Sequence, residues 1–197
     1  SARAMDILLG PRTLPVKIVT WATSELDSAY TTTNMLAGTH CWVTDGVDEN
    51  ETASFIIGVE AGCTVASFEV ASYCARPYCE MGVEELFEDG RAGCALLPMA
   101  CYGEREGDSN FPHNYTPRAV EVETESQLFK VTTRQSYEDG GYAGVAILRV
   151  YGFPPPPTPG PIHASTASGA TSESPFGYTA EAMLDGSRVW CTEKIPA

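Results

Sequence analysis

Two short runs in the middle of the chain indicate the fold class: Ala-Val-Glu-Val-Glu at residues 119–123 and Leu-Phe-Lys-Val-Thr at residues 128–132. Apolar and polar side chains alternate in both runs, which places the apolar ones on one face of a β-strand. Working outward, we expect further strands at residues 16–21, 53–59, 64–73 and 143–151, separated by Asp-Gly turn signals at 45–46, 89–90 and 139–141. Many short strands joined by such turns predict an all-β protein, an antiparallel β-sandwich or jelly roll.

Two segments depart from this alternation. In residues 64–73 the apolar Val65, Phe68 and Val70 do not keep one phase, so we expect a β-bulge there. Residues 83–87, Val-Glu-Glu-Leu-Phe, have the spacing of a short helix instead.

Composition bounds the class of protein. The chain has 197 residues, of which 43% are hydrophobic, enough for one domain with a substantial core. It carries 26 Asp and Glu against 12 Lys and Arg, a formal net charge of −14. This excess opposes binding to nucleic acid and to anionic lipid, and no stretch approaches the ~18 apolar residues of a membrane span. Because the sequence begins at Ser1 without Met or a signal peptide, we expect a mature or processed chain, or a fragment.

A proline-rich segment divides the chain. Residues 154–161 read Pro-Pro-Pro-Pro-Thr-Pro-Gly-Pro, a composition that favours a semi-rigid polyproline II spacer. Beyond it, Met-Leu-Asp-Gly and a Trp in residues 183–190 repeat the Met-Leu-Ala-Gly and Trp of residues 35–42, an offset the size of a whole domain. We therefore predict a tail or the end of a preceding linker at 1–15, a β-sandwich module at 16–153, a linker at 154–161, and an incomplete second repeat at 162–197.

The seven cysteines are many for a chain of this length. Dense cysteine is typical of secreted domains with disulfides, and the spacings in the sequence are mostly too wide for zinc knuckles. The simplest pairing is local, Cys74–Cys79 and Cys94–Cys101, which leaves Cys41–Cys63; Cys191 then pairs beyond Ala197 or with another chain. Sequons at Asn50 and Asn114 agree with an extracellular or cell-surface glycoprotein.

Several motifs together resemble the discoidin modules, the coagulation factor V/VIII type C family. These motifs are Thr-Ser at residues 23–24, Met-Leu-Ala-Gly at 35–38 with Trp42, residues 54–59 and 63–65, and the closing Leu-Arg-Val…Gly within 146–152. The resemblance spans residues 16–152 and implies an eight-stranded, galactose-binding-like jelly roll used for glycan, lipid or protein recognition. It also implies a structural Ca²⁺ beside the Asp-Gly turn. The first copy has Ala37 where the second has Asp185, so calcium is expected only at Asp185.

Candidate ligand-binding residues are few. Tyr30 is one, because it stands in the loop of residues 25–34 and loops at one end of a jelly roll carry binding. Tyr78 is the other, because a tight loop between Cys74 and Cys79 would hold its ring in place. We interpret Trp42 and its repeat counterpart Trp190 as core anchors rather than sugar platforms.

No constellation of catalytic residues stands out. The three histidines belong to no base or metal motif, and acidic pairs such as Glu84-Glu85 are more typical of solvated faces. Cys63 or Cys101 would need an activated thiolate to act as a nucleophile. We therefore expect no enzyme activity, no catalytic residue and no cofactor besides the Ca²⁺ that the resemblance implies at Asp185.

Two functions compete. The first is a structural or adhesive repeat of a larger extracellular glycoprotein, such as a filament or matrix subunit, whose partners are neighbouring repeats or copies of itself. The alternative is a lectin-like module that binds a carbohydrate or surface ligand, including as an accessory module of a secreted enzyme. Repetition and the proline spacer favour the first.

Overall fold

The strands form two antiparallel sheets packed face to face. The computed structural model describes residues 10–45, 51–73, 79–105, 114–135 and 142–155. Sheet A contains β1 (Arg12–Thr13), β12 (Gly144–Phe153), β5 (Thr64–Ser72) and β10 (Arg118–Thr124) in that order, and β3 (Trp42–Val43) also pairs with β12. Sheet B contains β2 (Lys17–Thr20), β4 (Thr52–Gly58), β11 (Leu128–Gln135), β6 (Cys79–Leu86) and β7 (Ala92–Ala100) in that order. A small ribbon joins β8 (Glu104–Arg105) to β9 (Tyr115–Thr116), and one short helix, α1, covers Thr32–Leu36.

The core lies between the sheets and follows from the alternation in the sequence. Phe129 of β11 meets Phe68 of β5 edge to face, with ring centroids 5.4 Å apart. Trp42 meets Phe55 of β4 in the same way at 4.9 Å, and all four rings are fully buried. Edge-to-face contacts between rings stabilise the sandwich by more than the burial of their apolar area alone would. The antiparallel sandwich is confirmed, as is the interpretation of Trp42 as a core anchor.

The predicted bulge is present in β5. Against β12, Tyr151 pairs with Ser67 but Gly152 pairs with Val65, which leaves Ala66 without a counterpart. The extra residue shifts the phase of the strand. This is why Val65, Phe68 and Val70 can all point into the core.

Residues 83–87 are not helical, so that prediction was wrong. Residues 83–86 lie in β6, which pairs with β11 through eight consecutive positions from Cys79 to Leu86. Pairing over eight residues outweighs the weak local preference for a helix, because tertiary contacts commonly override intrinsic propensity. The helix that does form, α1, begins after Thr31, whose hydroxyl accepts a hydrogen bond from Asn34 N–H at 3.2 Å.

The module also begins earlier than predicted. Arg12 and Thr13 pair with the end of β12, and Leu14 is buried in the core, so these residues belong to the sandwich and not to a tail. By contact, the chain divides into residues 1–156 and residues 157–197. The predicted second repeat and nearly all of the linker lie outside the described residues. No helix in the described ranges has the length and hydropathy of a membrane span.

The described cysteines do not form the predicted pairs. Cys63 and Cys94 are free thiols. Cys63 precedes β5 at one end of the sandwich, whereas Cys41 precedes β3 at the other end. Cys94 and Cys101 are seven residues apart along one extended segment, about 23 Å, far beyond the ~4.4–6.8 Å that a disulfide allows between Cα atoms. Cys74, and with it the pair Cys74–Cys79, lies outside the described residues.

Candidate functional site

A cleft with a volume of about 600 Å³ lies at one end of sheet B. We call this the lower end, where β4 ends at Gly58 and β6 at Leu86 and where β2 and β11 begin. Four connecting segments line the cleft: residues 15–17, 58–61, 86–88 and 125–128.

The order of the strands explains why these segments meet. β2, β4, β11 and β6 are consecutive neighbours in sheet B, so their ends at this side form a continuous rim. The Val59 N–H donates to the Gln127 carbonyl at 2.9 Å, which ties the loop after β4 to the loop before β11. The cleft is therefore largely formed before any ligand arrives, as is usual for small-molecule sites.

Phe87 supplies an exposed aromatic ring to the cleft. It is 47% exposed and opens the turn between β6 and β7. Its backbone N–H donates to the Arg91 carbonyl at 2.9 Å, and Arg91 Nε contacts Asp89 Oδ2 at 2.6 Å. The Arg91 guanidinium also lies 5.4 Å from the centroid of the Phe87 ring. The turn therefore holds this ring in place at low entropic cost.

Glu85, two residues before Phe87, holds the same region through hydrogen bonds. One of its carboxylate oxygens accepts a hydrogen bond from the Thr124 hydroxyl, across the sandwich on β10. The other accepts the Cys94 N–H at 3.3 Å, and the Thr124 hydroxyl oxygen accepts the Ser126 N–H at 2.9 Å. A single side chain thus connects β6, β7 and the loop that lines the cleft.

The charge of the cleft selects among ligands. The charged residues that line the cleft are three exposed glutamates, Glu60, Glu88 and Glu125, and one exposed lysine, Lys17. Ser126 and Gln127 add uncharged hydrogen-bonding groups. This excess of negative charge disfavours an anionic ligand and suits a neutral or cationic one.

Tyr30, the ligand residue predicted from the sequence, lies at the opposite, upper end. Its ring is half-buried, meets His40 edge to face at 5.7 Å, and packs on a second apolar cluster that includes Val43 and Ile147. The loop is held by Glu25, whose carboxylate accepts hydrogen bonds from the N–H and hydroxyl of Thr32 at 3.0 and 3.1 Å. Tyr30 therefore has a structural role in addition to an accessible edge, and the structure does not bring it to the cleft.

The remaining predicted site residues are distributed as follows. Asn114 is half-buried just before β9, and its buried Oδ1 has no hydrogen-bond partner among the described residues. Tyr78, Asn50, Asp185 and Cys191 lie outside the described residues.

Sequence reasoning missed Phe87. The adjacent Asp89-Gly90 turn signal could have identified it as a loop-tip aromatic, but the helical spacing of residues 83–87 concealed it.

The structure bears on Cys63, one of the two nucleophile candidates weighed from the sequence, and on metal binding. Burial, and secondarily the nearby Glu60 carboxylate, raise the pKa of the Cys63 thiol above its ordinary value, so this group stays protonated instead of forming a nucleophilic thiolate. In the described part of the chain no three His, Cys, Asp or Glu side chains cluster closely enough to hold a metal ion.

No protein-family model and no curated protein matches the sequence. Among solved structures, the F5/8 type C domain of a Bacteroides fragilis protein is 12% identical, covers 73% of this chain and 97% of its own, and has a TM-score of 0.50. A Ruminococcus gnavus GH29 fucosidase in complex with fucose is 16% identical with a TM-score of 0.50; the match covers 71% of this chain and 25% of the fucosidase.

A family 32 carbohydrate-binding module from Clostridium perfringens in complex with galactose is 15% identical, with a TM-score of 0.45 over 72% of this chain and 99% of that one. The F5/8 type C domain, with its TM-score of 0.50, confirms the discoidin-like resemblance as a likeness of fold. The chain spans only about a quarter of the length of the fucosidase.

Proposed function

We propose that this chain is a non-catalytic, extracellular binding module that holds a neutral or cationic carbohydrate in the cleft at the lower end of sheet B. The observation that carries the proposal is the exposed Phe87 ring, held beside carboxylates and an amide in a preformed cleft of about 600 Å³. A pyranose presents an apolar face that stacks on an aromatic ring and hydroxyls that hydrogen-bond to carboxylates and amides. The cleft offers both the aromatic ring and the hydrogen-bonding carboxylates and amide.

The fold supports such a role. A similar fold occurs within a larger fucosidase, which supports the notion of an accessory module joined to an enzyme. The extracellular location is supported by the two sequons at Asn50 and Asn114, as expected from the sequence.

A binding array of immobilised glycans, probed with the full chain, tests the proposal. Covering the exposed half of Phe87 is worth about 1 kcal/mol, roughly half of the ~1.5–3 kcal/mol for burying a whole side chain. We therefore expect Phe87→Ala to weaken binding about fivefold or more, since each 1.4 kcal/mol is tenfold. Neutral or amino sugars should bind, and uronates and sialylated glycans should not.

Two variants serve as controls. Trp21→Ala removes a ring that is even more exposed, at 64%, but lies outside the cleft, so binding should stay unchanged. Tyr30→Ala tests the upper end: if it abolishes binding while Phe87→Ala does not, the site is at the loop predicted from the sequence and the cleft assignment is wrong. Absence of binding to every glycan would overturn the carbohydrate assignment.

The structural or adhesive repeat remains the second candidate. A specific observation favours it: among the described strands, β7 lies at an edge of sheet B and carries no charged side chain.

A further inference from the structure

A second hollow, with a volume of about 330 Å³, lies on the outer face of sheet B, away from the core. We call it the outer groove. It shares no lining residue with the cleft at the lower end. Strands β11, β6 and β7 contribute the lining residues that matter here, which are Gly82, Glu84, Ala95, Met99, Lys130 and Thr132.

The outer groove continues from the cleft along the same two strands. Leu128 of β11 and Leu86 of β6 pair with each other and line the cleft. Two residues further along each strand, Lys130 pairs with Glu84, and both line the groove. Residues two apart in a strand lie on the same face, about 7 Å from each other. The cleft and the groove are therefore successive parts of one surface.

Small residues keep the floor of the groove low. Gly82 pairs with Thr132, the next position along the same face. A Cβ at Gly82 would lie 2.8 Å from Met99 Sδ, so the missing side chain lets Met99 pack close against the sheet. Ala95, which pairs with Glu84 on the other side, is exposed and adds only a methyl group. The result is an open trough with an apolar wall on β7.

The charges in the groove compensate each other. Lys130 Nζ lies 3.2 Å from Glu84 Oε1, and these side chains are 38% and 32% exposed. The ammonium group has three donors and the carboxylate several acceptor positions, so the ion pair can also hydrogen-bond to a ligand. The Thr132 hydroxyl adds a group that donates and accepts, and the Met99 thioether adapts to an apolar surface. Such a lining suits a neutral ligand rich in hydroxyls, in contrast to the negative cleft.

We propose that the outer groove binds further sugar units of the glycan held in the cleft, so that the module recognises a linear oligosaccharide and not a single sugar. This inference rests on the function proposed for the cleft. From Leu128 to Thr132 the surface extends about 14 Å along β11, which is longer than one sugar ring. A β-1,4-linked chain is an extended ribbon, and its course matches that of a straight strand.

Calorimetric titration of the full chain tests the proposal with β-1,4-linked oligomers of glucose and of N-acetylglucosamine, from the single sugar to the hexasaccharide. We expect the affinity to rise with chain length by at least about tenfold, or about 1.4 kcal/mol, and then to level off once the groove is filled. Phe87→Ala should weaken binding at every length, because all the ligands share the cleft.

Two variants locate the additional sugars. Glu84→Ala combined with Lys130→Ala removes the ion pair without changing the net charge. It should lower the affinity for the hexasaccharide about tenfold and leave that for the single sugar unchanged. The control is Glu69→Ala combined with Arg149→Ala, which removes a 2.8 Å ion pair on sheet A and should change neither affinity.

Ala95→Phe fills the trough and removes no polar group. It should abolish the gain in affinity with chain length, whereas Ala119→Phe, at an exposed alanine of β10, should preserve it.

The outcomes separate this proposal from the one on which it rests. If the hexasaccharide binds no tighter than the single sugar, while Phe87→Ala weakens both, the groove assignment is wrong and the cleft remains the site. A gain with chain length that survives both groove variants would place the additional sugars elsewhere and also overturn the assignment. If no sugar of either series binds, the function proposed for the cleft fails together with this inference.

Discussion

Replacing Gly152 by alanine tests how the closing strand packs. An ideal Cβ at this position would lie 2.1 Å from the Thr64 carbonyl oxygen and 3.0 Å from Leu14 Cδ1. Gly152 pairs with Val65 on one side and with Arg12 on the other, so neither neighbour can move without breaking a strand pair. Glycine in the closing Leu-Arg-Val…Gly motif is therefore required by the close approach of a backbone.

The expected cost can be worked out from these distances. The Thr64 carbonyl oxygen must move away by about 1 Å to make room for the added methyl group. Over-packing of this kind costs roughly 1–3 kcal/mol. The movement also weakens one or two hydrogen bonds of β5 with β12, at about 0.5–1.5 kcal/mol each. We expect Gly152→Ala to lower the free energy of unfolding by about 3 kcal/mol, a large share of the ~5–15 kcal/mol typical of a domain.

Urea denaturation of the full chain, followed by tryptophan fluorescence, measures this loss. With a slope of about 2 kcal/mol per molar, the midpoint should fall by about 1.5 M. The control is Gly90→Ala, where φ is +82° but no atom lies within 4 Å of the added Cβ, so only backbone strain of about 1 kcal/mol applies. If Gly152→Ala is no more destabilising than Gly90→Ala, the steric reasoning is wrong.

Two further predictions concern Cys63 and Glu85. Because burial and the Glu60 carboxylate raise the pKa of Cys63 above its ordinary value of 9.0, the unfolded thiol ionises first and stability falls as the pH rises above about 9. Cys63→Ala should flatten this alkaline decline in thermal melts, whereas Cys94→Ala should not. Glu85→Gln should destabilise the chain by about 1–3 kcal/mol and speed hydrogen exchange around the cleft. Glu84→Gln, which breaks only a half-exposed ion pair with Lys130 at 3.2 Å, should cost less than about 1 kcal/mol.

The sandwich could be predicted from the sequence because its signals are local. Alternation in residues 119–123 and 128–132 identifies β10 and β11, and the broken phase around Phe68 identifies the bulge. Even so, these two strands belong to opposite sheets, and alternation cannot reveal this because it reports which side chains are buried and not which strands pair. The short span of residues 83–87 was misjudged for the same reason, since its conformation is decided by pairing with β11.

The cleft could not be predicted from the sequence, and the physical reason is a different one. It is assembled from four segments far apart in sequence, and none of them carries a ligand-binding motif. Tyr30 was a reasonable candidate because it stands in a loop, but its ring packs on the second apolar cluster. Phe87 and the Glu85 network become apparent only when β6 is placed beside β7 and across the sandwich from β10.

Glu85 connects the cleft to β7 within one chain. Its carboxylate bonds to the backbone of Cys94 and, through Thr124, to the loop that lines the cleft. Because one side chain makes all these contacts, its replacement in Glu85→Gln should loosen β7 and the loop of the cleft together, and hydrogen exchange should speed up in both places.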